Sequence, residues 1–291
     1  MRRPAPLTPA DIVHPGPAAP ERIPFRTCRA DKVAPTVGDG APLLEALGHF
    51  ADVDGFGAAV LDLGGLALGP FDYVMPDRAV DDRHVAWYSD THTSSGAVLK
   101  EGVAILGWRD GKRFAHIHAY WLEDGEDRLG HLLPETLVTA APARLTGYGL
   151  NGATFDAAPD PETEFTLFRV RPDGRHLAQE PHNALIATLA PFADLHNSID
   201  ALAGRFGASD LEVMGLGSLA GAGFLDAPPM TGLISEILLQ PGAGRSGGTG
   251  LRLPARCVDH NGRLSRGVIR PGRAPTLVTC ELLITTSGRT G

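Results

Sequence analysis

Apolar residues recur at helical spacing in "APLLEALGHFADV", where Leu43, Leu44, Leu47 and Phe50 fall on one face. A strand-like stretch, "ERIPFRTC", precedes this helix, and a glycine-punctuated apolar run, "GFGAAVLDLGGLALG", follows it. The same order returns later in the chain. "NALIATLAP" reads as a strand, "LHNSIDALAGRFGAS" as a helix with Ile199, Leu202 and Phe206 on one face, and "LEVMGLGSLAGAGF" as the glycine-punctuated run. Glu101 stands six residues before Gly107, and Glu236 six before Gly242. "LEDGEDRLGHLLP" matches "VDHNGRLSRGVIRP" without a gap, pairing Gly125 with Gly262, Gly130 with Gly267 and Pro134 with Pro271. A period this long predicts tandem units rather than a solenoid.

The pattern therefore predicts an α+β chain of two tandem domains, each a mostly antiparallel sheet with one main helix. Residues 1–20 read as an extended, proline-rich arm, 21–175 as the first domain and 180–291 as the second, with a polar, turn-rich boundary between. The glycine runs lack GxGxxG leading from strand to helix and lack GK[ST], which excludes the common nucleotide fingerprints. They mark bulges or close backbone approach instead.

Chemistry is concentrated in "HIHAYWLEDGEDRLGHLL". Residues i and i+2 of a strand share a face, so His116 and His118 stand side by side. Asp124-Gly125 suits a two-residue type I′ turn, in which both positions need positive φ. Closing the chain there opposes Glu123 to Glu126, Trp121 to Arg128 and His118 to His131. Opposed residues share a face at about 5 Å, so one hairpin gathers His116, His118 and His131. Three imidazoles with an open fourth position form a typical catalytic zinc shell, and iron, nickel or cobalt also accept such ligands. The bland alternative is a surface hairpin with scattered histidines. In the second half the gapless match replaces the three by Leu253, Ala255 and Val268, which predicts a scaffold without the site.

These residues, "HIHAYW…DG…GHLLP" after a Glu-x5-Gly strand, resemble the plant- and prokaryote-conserved (PPC, or PCC) domain. Leu129 stands where the family motif has its first glycine. The resemblance implies an α+β domain assembling as a homotrimer, with a divalent metal held by His116, His118 and His131. It also carries a DNA-binding association, which in plant members comes from a basic AT-hook; no RGRP hook is present in this sequence.

Composition narrows the function class. Hydrophobic content of 43% and charged content of 21% belong to a soluble globular chain. With no signal-peptide pattern or apolar run of membrane length, the expected location is the cytoplasm. Cys28, Cys257 and Cys280 lack metal or disulfide spacing and are expected as free thiols. The net charge of −8 is uneven: residues 241–291 hold eight arginines against Asp259 and Glu281. One reading is a metal-dependent hydrolase or lyase on a small anionic substrate, with Glu101 as general acid or base and second-half arginines near the substrate. His84, Asp90 and His92 form a further polar cluster, more simply a solvated loop. The alternative is a non-catalytic trimeric scaffold that binds nucleic acid or a protein partner, which the arginines favour and the overall acidity opposes.

Overall fold

The computed structural model describes residues 2–174, 181–207 and 209–286. The expected domain boundary at 175–180 and Arg289 lie outside these residues. The architecture is mostly antiparallel sheet with two α-helices, Leu43–Val53 (α1) and Leu195–Gly204 (α2). Asp194 caps α2, its side chain accepting the Asn197 backbone N–H at 2.9 Å. Phe206 lies two residues beyond α2 and packs against the core from the turn. No helix among the described residues is long and apolar enough to cross a membrane.

Strand order repeats. In the first half Phe25–Val33, Thr146–Asn151, Ala58–Asp62, Ala97–Arg109, Lys112–Glu123 and Glu126–Leu132 are neighbours in that sequence. In the second half the sequence is Ala184–Leu189, Thr276–Thr286, Leu211–Leu219, Ser235–Leu239, Pro254–Asp259 and Leu264–Val268. Strand Phe25–Val33 joins the two sheets, pairing Phe25–Cys28 with Ala187–Ala184 and Arg29–Val33 with Asn151–Gly147. The described residues of the expected extended arm, 1–20, pack along the surface: Ile12 is buried, Gly16 N–H donates to Glu162 O, and Ala19 N–H donates to the Glu162 carboxylate at 2.9 Å.

Strand alternation sets the layers. Ala104, Leu106, Ile117, Ala119 and Trp121 face α1, whereas Val103, Ile105 and Tyr120 face the other way. Leu253, Ala255 and Cys257 face α2. Between the sheets, Val103, Ile105, Tyr120 and Leu150 pack with Leu216, Leu238, Val258 and Leu283. The order of layers is α1, first sheet, second sheet, α2. All three cysteines are buried and free.

The two landmark glycines do different work. Gly107 lies within its strand, where a Cβ would fall 2.3 Å from Phe155 O, so it permits close passage of the Ala153–Pro159 strand. Gly242 is a left-handed turn residue at φ +84.

Candidate metal centre

The first hairpin closes as its turn residues dictate. Asp124 and Gly125 both have positive φ (52 and 81), and Glu123 opposes Glu126, Trp121 opposes Arg128 and His118 opposes His131. The three histidines meet on the face turned towards the second sheet. Each offers a ligand atom, and these atoms all lie within 4.8 Å of one another. His116 Nε2 and His118 Nε2 are 3.1 Å apart, near the roughly 3.3 Å expected of two nitrogens on one tetrahedral zinc at about 2.0 Å.

Each opposite ring nitrogen has a partner. His118 Nδ1 lies 2.9 Å from Ile237 O, His131 Nδ1 lies 3.1 Å from the Tyr88 hydroxyl, and His116 Nδ1 lies 2.7 Å from Glu281 Oε2. The Glu281 contact is off the hydrogen-bond axis, so its oxygen remains without a hydrogen bond. Such partners hold ligating imidazoles in one tautomer and orientation. Two of the three come from the second half of the chain. Burial, reinforced by neighbouring His116, drives the pKa values of His118 and His131 well below the usual range. Those rings are neutral at pH 7 and can act as ligands.

The second half also supplies Glu236, only 3% exposed, whose Oε1 is 3.9 Å from His118 Nε2 and whose Oε2 has no hydrogen-bond partner. Burial pushes its carboxyl pKa well up. Tyr88 exposes much of its ring but turns its hydroxyl inward, and burial with Glu236 and Glu281 keeps that hydroxyl protonated. The centre opens into a cavity of about 350 Å³, lined among others by Trp87, Tyr88, Phe114, Phe165, Phe168 and Leu277.

Glu101 lies elsewhere. It opposes Tyr120, two residues beyond His118, and lines a separate cavity. Its carboxylate accepts hydrogen bonds from Arg256 Nε (2.9 Å) and Nη2 (3.1 Å), and from Gln240 Nε2 at 2.8 and 2.9 Å. Arg256 also covers the Tyr120 ring at 3.8 Å. Glu101 thus binds the two sheets together, and the carboxylates beside the histidines are Glu236 and Glu281.

The gapless match between the hairpins fails by one residue. The second hairpin has a three-residue loop, His260-Asn261-Gly262, with Asp259 N–H bonded to Arg263 O and Gly262 at φ +74. Arg256 therefore opposes Arg266, and Val268 opposes Pro254 rather than Ala255. Leu253 and Ala255 belong to the α2 core. Because Glu101 opposes Tyr120 and Glu236 opposes Val258, the position matching His118 is Arg256. Each half aims one glutamate at the other half's hairpin: Glu101 at Arg256, Glu236 at His118.

The loop before Glu101 contributes through Tyr88, which sequence reasoning passed over. His84 pairs with Asp81 and touches Trp87 and Phe165 beside the cavity, Asp90 pairs with Arg2, and His92 stacks on Tyr73.

No family model matches the chain, and no curated protein matches it. Solved structures do. A metal-containing protein from Archaeoglobus fulgidus aligns at 20% identity and TM-score 0.39, over 50% of this chain and 97% of its own. A plant- and prokaryote-conserved (PPC) protein from Pyrococcus horikoshii aligns at 17% and 0.37, over 49% and 94%. A protein from Bacteroides thetaiotaomicron, provisionally described as DNA-binding, aligns at 12% and 0.35, over 50% and 98%.

Proposed function

We propose that the chain is a metal-dependent enzyme of hydrolase or lyase type, with one divalent ion, best satisfied by zinc, at His116, His118 and His131. The observation carrying this reading is that every Nδ1 of the three rings has a partner while the rings converge, His116 and His118 through their Nε2 atoms. Such an ion polarises a substrate oxygen or activates water. The protein's part is to hold the three imidazoles together, to orient them through Ile237 O, Tyr88 and the close Glu281 carboxyl, and to place a second buried carboxyl group, Glu236, beside them. The adjoining cavity shields the reacting groups from bulk water.

We read the repeated strand order as two PPC-like domains in tandem, only the first bearing histidines, and we carry the trimer over from the resemblance. Light scattering with in-line chromatography tests the trimer, and a stable monomer at micromolar concentration contradicts it. Three of the arginines behind the scaffold alternative are engaged within the chain, which favours the metal reading over it: Arg256 by Glu101, Arg245 by Asp200, and Arg270 by Phe224 O.

Elemental analysis of purified protein tests the central reading. About one zinc or similar ion per chain is expected, since one three-histidine shell accounts for one ion. His118→Ala should lose it, and full retention in that variant contradicts the site.

A further inference from the structure

Residues 77–90 cover the histidine cavity with little support of their own. Pro76–Asp77 pairs with Trp87–Tyr88 in a two-stranded ladder separate from the main sheet, and a lone ladder of this kind is marginal without further packing. Ala86, Trp87 and Tyr88 line the cavity, and the Tyr88 hydroxyl reaches His131. One side of this lid rests on Glu164 and Phe165: Arg83 pairs with Glu164, and the His84 and Trp87 rings pack against Phe165. The other side is held by residues far away in sequence. Arg2 Nη1 donates to Arg78 O (3.0 Å) and Tyr88 O (3.1 Å), so one guanidinium spans both arms of the ladder, and Arg2 Nε pairs with Asp77 at 3.0 Å. Arg3 donates its backbone N–H to Ala79 O at 2.7 Å and its side chain to His84 O at 3.2 Å.

Charge and packing agree with this arrangement. Residues 77–90 carry four aspartates (77, 81, 82 and 90) against Arg78 and Arg83, and Arg2 and Arg3 supply the positive charges that balance them. Further along, Ile12 is buried with Val85, Ala86, Ile234 and Leu277, and the last three of these line the cavity. Gly16 lies so close to the body of the protein that a Cβ would fall 1.7 Å from Pro161 O. The chain is thus tied down at Gly16 and Ala19 by Glu162 and fastens the lid at Arg2 and Arg3. We propose that residues 2–16 are a strap that holds 77–90 closed over the histidine cavity, with Arg2 and Arg3 as positioning residues that keep Tyr88 on His131 and set how fast small molecules reach the histidines. Access to the cavity is a property of the metal-free chain, so its test stands apart from the metal reading above.

Diethyl pyrocarbonate, which acylates neutral imidazoles, reports opening of the cavity in metal-free protein at pH 7. Modification of His116, His118 and His131 is followed by peptide mass spectrometry, and opening of the backbone by hydrogen exchange. The double variant Arg2→Ala, Arg3→Ala should speed modification of the three histidines and exchange of residues 77–90 by about tenfold, since hydrogen bonds from charged donors are lost. Exchange in the main sheet should stay unchanged. Arg2→Lys keeps the charge but not the planar fork and should give an intermediate rate. Arg245→Ala, which removes an arginine paired with Asp200 in the second half, should match the wild type. Unchanged histidine modification in the double variant overturns the strap. So does acceleration spread evenly over the whole chain, which marks a loss of overall stability rather than release of a lid.

Discussion

Glu236 shows how much a single residue's surroundings decide. Buried with one oxygen unpartnered, its carboxyl is held protonated well above the usual range. In the unfolded chain the same group ionises near its ordinary value, so metal-free protein loses stability as pH rises above about 4.5. Glu236→Gln removes that linkage. In urea melts of metal-free protein at pH 8 the variant should be the more stable, because it no longer has to keep a buried carboxyl protonated above its ordinary pKa. The difference should vanish near pH 4, and equal stability at pH 8 would refute the assignment. His118 and His131 act in the opposite direction. Their folded pKa values are depressed, so their contribution is present above about pH 6.5 and is lost as the unfolded chain protonates below it. Metal occupancy should therefore persist at pH 6, as dialysis followed by elemental analysis can establish. At this scale the histidines were legible in the sequence and the carboxylates were not. HxH and a DG turn are local signals, whereas Glu236 and Glu281 reach the histidines only through the packing of one sheet on the other.

At the scale of elements the hairpin is the decisive unit. The first turn has two residues and the second three, and this one-residue difference exchanges which side chains face the other sheet. Aligning "DG" with "NG" hid the difference, because glycine terminates both loops with positive φ. The helices and the strand before each were readable from periodicity. The divergent roles of Gly107 and Gly242 were not, since one is defined by the Phe155 backbone across from it. Gly125 stands at φ 81 and its Cβ position is open, so Gly125→Ala introduces backbone strain without a clash. It should lower stability by about 1–2 kcal/mol. Loosening the turn should also weaken metal binding, because His118 and His131 are held together by that pairing. Thermal melts and a chelator competition read the two effects, and unchanged metal affinity would show that the sheet, not the turn, sets the register.

Across the whole molecule, the second half acts on the first through two paired contacts that are equivalent in position and different in consequence. Glu101 meets Arg256 and Glu236 meets His118. The first is a bidentate ion pair between the sheets, and the second lies at the three-histidine cluster. A repeat read in the sequence corresponds to a repeated strand order with two kinds of contact, and the packing of one sheet against the other distinguishes them. One substitution in the first contact and one in the Glu281 contact with His116 should separate stability from metal binding. Arg256→Ala deprives the half-buried Glu101 of its charged donor, leaving Gln240, and should cost about 1.5–3 kcal/mol, the range for hydrogen bonds to charged groups. Its metal content should stay at one per chain, because no histidine contact changes. Glu281→Gln should do the reverse, weakening metal affinity about 10–100-fold, as loss of a partner that orients a ligating histidine typically does, with little change in the stability of the metal-free fold. Denaturant melts and metal-buffer titrations on the two variants give four numbers. If Arg256→Ala also strips the metal, the two contacts are one coupled network rather than separate devices.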